Sequence, residues 1–198
     1  MIIAYLHGYN SYYDSPKNDK VKDKVKALKR LGRVVGLGID YNVDGAVVID
    51  EVCDWAIKED VDLVVGCSMG GWLASHVGSR LGVPAVMLNP VISPSISLKK
   101  YIEVPEGELD YGGYPMRAID RSVVEAYPAI SKKAWGLVLL EKGDNVLNYK
   151  NSESILSKYY KVIVSDGGSH RYESLEDRLE DIEYLVEIAG LNYGSGKS

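Results

Sequence analysis

This 198-residue chain has no phenylalanine, two cysteines and three histidines. Cys53 and Cys67 are too few for the disulfide framework that staples small secreted domains. No Cys/His group has the spacing of a metal site, so no metal is expected. No stretch approaches the ~20 consecutive apolar residues of a membrane-spanning helix. The opening MIIAYLHGYNS has neither the basic leader nor the long apolar run of a signal peptide. With 23 Lys+Arg against 28 Asp+Glu, the net charge of −5 provides no global electrostatic reason to bind nucleic acid or an anionic membrane. From these absences a soluble, cytoplasmic protein is expected. Without phenylalanine, aromatic packing falls largely to 15 tyrosines, each of which brings a hydroxyl.

The chain has the length of about one domain and can bury a sizeable core. Short β-branched runs alternate with helical patterns. Strands are expected over residues 2–6, 33–37, 61–65, 85–88, 136–140 and 161–165. Helices are expected over 19–31, where Val21, Val25, Leu28 and Leu31 share a face and Gly32 is the stop, and over 44–60 with Asp44 as cap. Further helices are expected over 70–81, ended by Gly82, over 151–160, and from a Ser174/Asp177 capping pair to about Ala189. Residues 91–131 hold four of the seven prolines and break the pattern into short helices and loops. Continuous apolar strands between helices specify a parallel sheet covered on both faces, and the right-handed crossover makes it doubly wound. Ligands of such sheets bind beyond the carboxyl ends of the strands.

The segment after the third strand is Gly66-Cys67-Ser68-Met69-Gly70-Gly71, a G-x-S-x-G motif between a strand and a helix. A strand turning directly into a helix strains the central residue and leaves no room for side chains two positions to either side, hence the glycines. Such a turn holds a serine hydroxyl above the sheet at a helix N-terminus, where amide donors favour a developing anion. Ser68 is therefore the candidate nucleophile, and it needs a base. His170, on the loop after the last strand, lies at the same sheet edge. His7 and His76 are the rivals, His76 being more simply a packed or surface residue. Asp144, after the fifth strand, is the candidate acid that orients the imidazole, with Asp166, Glu141 and Asp177 as alternatives. The order Ser68, Asp144, His170 suits this architecture. The oxyanion donors are expected to be the amides of Met69 and Tyr9, with Gly8 allowing close approach. Within 91–131, Tyr111, Tyr114, Met116 and Tyr127 are candidates to line a substrate pocket.

The segments Tyr5-Leu6-His7-Gly8-Tyr9-Asn10-Ser11, Gly66 to Gly71, Pro84 to Pro90, Gly143 to Tyr149 and Gly167-Gly168-Ser169-His170 resemble the YqiA-type small esterases of the α/β-hydrolase superfamily. The matches come in family order and span nearly the whole chain. The resemblance implies a single-domain α/β-hydrolase fold and hydrolysis of short-chain acyl esters, without cofactor, through Ser68, Asp144 and His170. It also implies that Asn89-Pro90 helps shape the pocket. Asn145 and Asn148 stand where acidic residues are common, and Arg171 where a small residue is usual. These departures leave the three residues intact and bear on substrate preference.

The expected organisation is one hydrolase domain over residues 1–190, with 91–131 as a lid over the site and 191–198 as a flexible tail. The expected partner is a small-molecule acyl ester. A thioesterase or acyltransferase would use the same three residues, and a catalytically silent binding protein would use the same fold. Gly36-Leu37-Gly38-Ile39-Asp40-Tyr41 lacks the last glycine of a dinucleotide fingerprint. The terminal Gly196-Lys197-Ser198 lacks the earlier glycine, strand and helix of a phosphate loop. The lysine-rich residues 17–30 are interleaved with acids, as on a solvated helix face.

Overall fold

The computed structural model of the chain describes residues 1–13, 19–104, 107–109, 115–116 and 118–194. Six strands form one entirely parallel sheet: β1 (Ile2–Leu6), β2 (Arg33–Val35), β3 (Leu63–Cys67), β4 (Ala85–Leu88), β5 (Gly136–Glu141) and β6 (Lys161–Ser165), in the spatial order β2-β1-β3-β4-β5-β6. The order reverses direction at β1, as it must in a doubly wound sheet.

Strand geometry sends alternate side chains to opposite faces. Ala4, Leu6, Val64, Met87, Val138 and Leu140 enter one hydrophobic cluster, while Ile3, Tyr5, Leu63, Val65, Leu137 and Leu139 enter the other. The first cluster is closed by α2 (Gly45–Lys58), α3 (Met69–Leu81), α5 (Arg121–Ala126) and α6 (Tyr149–Leu156), through Val48, Val52, Trp72, Leu73, Val124 and Leu156. The second is closed by α1 (Asp19–Leu28) and α7 (Leu179–Gly194), through Val21, Leu28, Ile182 and Leu185. β3 is buried along its whole length, as its unbroken apolar composition requires.

The local signals place most boundaries. Asp44 caps α2 by accepting the Ala46 amide at 2.8 Å, and Gly82 ends α3 in the left-handed conformation at φ 73°. Where structure and expectation differ, tertiary packing decides. β3 lies two residues later than expected because its register is set by β1, with Leu6 opposite Gly66. α6 begins earlier because Asn148 caps it through the amides of Lys150 and Asn151. Ser174 does not cap the last helix with its side chain, because its hydroxyl donates to Glu141 instead. Leu175 then leads into a 3₁₀ turn over Glu176–Arg178, and α7 runs on to Gly194, into the expected tail. Within 91–131 lie α4 (Pro94–Ser97), a 3₁₀ turn at Lys99–Tyr101 and α5. No helix among the described residues is long and apolar enough to cross a membrane.

Candidate active site

The carboxyl ends of β1 and β3 lie side by side, and the turns that leave them meet. Ser68 sits at φ 59°, ψ −119°, between the last residue of β3 and the first of α3. That conformation costs a side-chain-bearing residue roughly 1–3 kcal/mol and persists only where its surroundings enforce it. The surroundings are backbone. A Cβ on Gly66 would overlap the Gly70 carbonyl, and one on Gly70 would run into the carbonyl of Leu6. The Ser68 amide donates to Leu88 O at 3.0 Å, and the Ser68 carbonyl accepts from Gly71, Trp72 and Val91.

The hydroxyl thus presented lies 2.9 Å from Nε2 of His170. On the far side of the ring, Nδ1 lies 2.9 Å from Oδ2 and 3.1 Å from Oδ1 of Asp144. A carboxylate can only accept, so Nδ1 carries the proton and Nε2 is left to accept from the serine. Asp144 is itself held, because Oδ1 also accepts the amides of Val146 and Leu147, both at 2.8 Å. The Asp144 side chain is 2% exposed and that of His170 14%. Three loops, after β3, β5 and β6, therefore converge in one hydrogen-bonded series.

The rivals are occupied elsewhere. Nε2 of His7 accepts the Ile39 amide at 2.9 Å, so its Nδ1 bears the proton and donates to Gly8 O at 2.9 Å. This buried ring ties the loop after β1 to the loop after β2. His76 donates from Nε2 to Ala129 O at 3.0 Å, and burial lowers its pKa. Asp166 pairs with Lys142 at the surface, Asp177 is exposed, and the oxygens of Glu141 are taken by the loop that carries His170.

Met69 begins α3 and is buried. Gly8 lies so near the serine that a Cβ there would stand 3.3 Å from Ser68 Cβ, which brings the Gly8–Tyr9 backbone alongside the hydroxyl. The Tyr9 ring packs on Tyr101 with 4.8 Å between centroids, and burial pushes its phenol up to about 12. Two cavities flank the serine. The larger, about 170 Å³, is walled by Met69, Val91, Leu98, Tyr101, Val146 and Leu147. The smaller, about 60 Å³, is walled by Tyr5, Gly8, Val21, Cys67 and Arg171. The Cys67 thiol is turned toward the carbonyls of His170 and Arg171, at 3.7 and 3.6 Å, and burial raises it to about 11.

The pocket residues expected from the sequence fare differently. Tyr111 and Tyr114 lie outside the described residues. Met116 is bonded through its amide to Glu108 O at 2.9 Å and lines neither cavity. Tyr127 is a core residue: its hydroxyl donates to Tyr41 O at 2.8 Å and its ring packs edge-on against Trp72. Asn89 does not line the cavities either; its side chain bonds to the loop of His170. Leu98, Tyr101, Val146 and Leu147, which do form the larger cavity, were marked only by being apolar residues in segments that follow β4 and β5.

Comparison with known proteins agrees with this architecture. The profile of the "Uncharacterised protein family (UPF0227)" matches residues 1–187. A UPF0227 protein of Serratia proteamaculans is 30% identical over 190 residues, covering 92% of this chain and 97% of its own. One from Pasteurella multocida is 26% identical over 189 residues, with the same coverage. Among solved structures, Est1E from Butyrivibrio proteoclasticus superposes with a TM-score of 0.65 at 16% identity, over 94% of this chain and 86% of that one. Carboxylesterase CesB from Bacillus subtilis gives 0.58 at 14% identity, over 100% and 84%. Similarity at these identities establishes the α/β-hydrolase fold.

Proposed function

The chain belongs to the UPF0227 family, and on that footing we propose that it is a serine esterase acting on short-chain acyl esters through Ser68, His170 and Asp144. One observation carries the proposal: the unbroken series from Ser68 Oγ to His170 Nε2 and from His170 Nδ1 to Asp144, every link 3.1 Å or shorter. The esterases among the structural neighbours support it. Two buried, unpaired cysteines suit work in the reducing cytoplasm.

The chemistry follows from the geometry. Ser68 Oγ attacks the ester carbonyl carbon as its proton passes to His170 Nε2. Asp144 holds the Nδ1–H and stabilises the imidazolium. The amides of Met69 and Tyr9 donate to the oxyanion of the tetrahedral intermediate, which a preorganised site stabilises without reorganisation. The intermediate collapses as His170 returns the proton to the departing alkoxide oxygen, leaving an acyl group on Ser68. Water then attacks, giving its proton to His170, and the carboxylic acid leaves as Ser68 regains a proton. The cavity walled by Val91, Leu98, Val146 and Leu147 receives a compact apolar group on one side of the ester. The segment 91–131 contributes Val91, Leu98 and Tyr101 to that wall, which is the part a lid would play.

The test is hydrolysis of p-nitrophenyl acetate and butyrate by the protein and by Ser68→Ala, together with labelling by a fluorophosphonate located by mass spectrometry. Turnover that Ser68→Ala abolishes, with the label on Ser68, is expected. Equal turnover by both proteins would discard the proposal.

A further inference from the structure

Glu141 is the last residue of β5 and is completely buried. The transfer of a carboxylate out of water is costly unless hydrogen bonds replace the lost hydration. Here four do. Oε2 accepts the Ser169 amide at 2.8 Å, while Oε1 accepts the Glu173 amide at 2.8 Å, the Ser174 amide at 2.7 Å and the Ser174 hydroxyl at 2.6 Å. All four donors belong to residues 169–174, the stretch that presents His170. Gly168, at φ 71°, packs so closely that a Cβ there would overlap the Glu141 carboxyl.

Asn89, the residue just after β4, completes the arrangement. It is held at φ 40°, unusual for a side-chain-bearing residue. Its Oδ1 accepts the Glu141 amide at 2.9 Å, and its Nδ2 donates to the carbonyls of Ser169, at 2.9 Å, and His170, at 3.3 Å. The Glu141 backbone reaches the other partner too, its carbonyl accepting the Asp144 amide at 3.1 Å, while the Gly143 amide donates to Gly167 O at 2.7 Å. One residue thus grips the loop of His170 with its side chain and the turn of Asp144 with its backbone.

We infer that Glu141 and Asn89 are positioning residues that fix the backbone of residues 169–174, and so hold the His170 ring within reach of both Ser68 and Asp144. The inference rests on the esterase reading for its consequence in turnover, though not for its structural content. An apolar residue at this position would leave the Ser169, Glu173 and Ser174 donors without acceptors. What four charge-assisted bonds supply is directional constraint on a loop with no ladder of its own. The His170 ring must satisfy two partners at once, and a displacement of about 1 Å costs roughly 100-fold in rate.

The experiment compares Glu141→Gln, Asn89→Asp and, as a control of matched destabilisation, Val52→Ala in the distant α2 core. The glutamine keeps one acceptor oxygen and turns an NH₂ toward either the Ser169 amide or the Glu173 and Ser174 donors. The aspartate faces two carbonyls where Asn89 donated. Both are expected to lower kcat on p-nitrophenyl butyrate about 100-fold with KM nearly unchanged, the pattern of a lost transition-state geometry. Both should also broaden or abolish the strongly deshielded proton resonance of the His170–Asp144 hydrogen bond, while Val52→Ala leaves kcat and resonance intact. The inference is overturned if Glu141→Gln and Asn89→Asp keep wild-type kcat and resonance, or if Val52→Ala reduces kcat equally. If the protein proves not to hydrolyse esters, the resonance alone decides: its loss in the clamp variants but not in Val52→Ala upholds the positioning role.

Discussion

Replacing Asp144 by asparagine changes no volume and removes one charge, yet the structure predicts an outsized effect. The Asp144 oxygen that accepts from Val146 and Leu147 faces two N–H donors and must remain an oxygen. In the asparagine variant the carboxamide oxygen is therefore drawn to that side, and the NH₂ turns toward His170. Facing a donor, Nδ1 must become an acceptor, so the ring proton moves to Nε2. That nitrogen can then no longer accept the Ser68 proton across the 2.9 Å contact. Such tautomer inversion costs about 10⁴-fold in kcat in triads of this kind, or roughly 5 kcal/mol of barrier. Stability should change by no more than about 1–2 kcal/mol, because the two backbone donors stay paired. Steady-state hydrolysis of p-nitrophenyl butyrate and urea unfolding measure the two quantities. Asp166→Asn, on the rival acid paired with Lys142 at the surface, should leave kcat unchanged. An Asp144→Asn protein with kcat within tenfold of wild type, or an Asp166→Asn protein that loses activity, would refute the reasoning.

Ser68→Gly should remove both hydroxyl and backbone strain, abolishing hydrolysis while raising the unfolding free energy by about 1–2 kcal/mol in urea, whereas Ser68→Ala keeps the strain. Gly70→Ala should destabilise by about 3 kcal/mol or more, since its Cβ would strike the Leu6 carbonyl and backbone must move; urea unfolding measures it. With its thiol raised to about 11, Cys67 should stay unreactive toward a thiol-modifying disulfide at pH 8 and gain reactivity only as the pH approaches 11. Burial lowers the His76 pKa, so between its folded value and the usual imidazole value the unfolded chain binds the extra proton. Stability from this group is present above the usual value and is lost as the pH falls toward the folded one, which Tm measured from pH 7.5 downward checks.

Much of the fold is written locally. The apolar run of the third strand, the Asp44 cap and the Gly82 stop depend on neighbours in sequence, so composition and period reveal them; the span of that strand, 63–67 and not 61–65, came from its register with β1. Gly66, Ser68 and Gly70 are equally legible, because the strain of a strand entering a helix can be met by few residue types. Their order with Asp144 and His170 along the chain, each just beyond a strand, marks the residues that come together. The pocket wall was not legible in the same way. Tyr127 and Tyr101 are both tyrosines in one irregular segment, and nothing nearby in sequence distinguishes the one that packs on Trp72 from the one that packs on Tyr9. Glu141 carries no local sign either, since its four donors come from residues 169–174, about 30 positions along the chain. The sequence by itself determined the sheet, the layers and the strained turn, because short-range sterics and periodic burial govern those. Only the tertiary structure decided which side chains face the serine and which carboxylate grips the loop of His170, because those choices depend on segments distant in the chain meeting at one rim of the sheet.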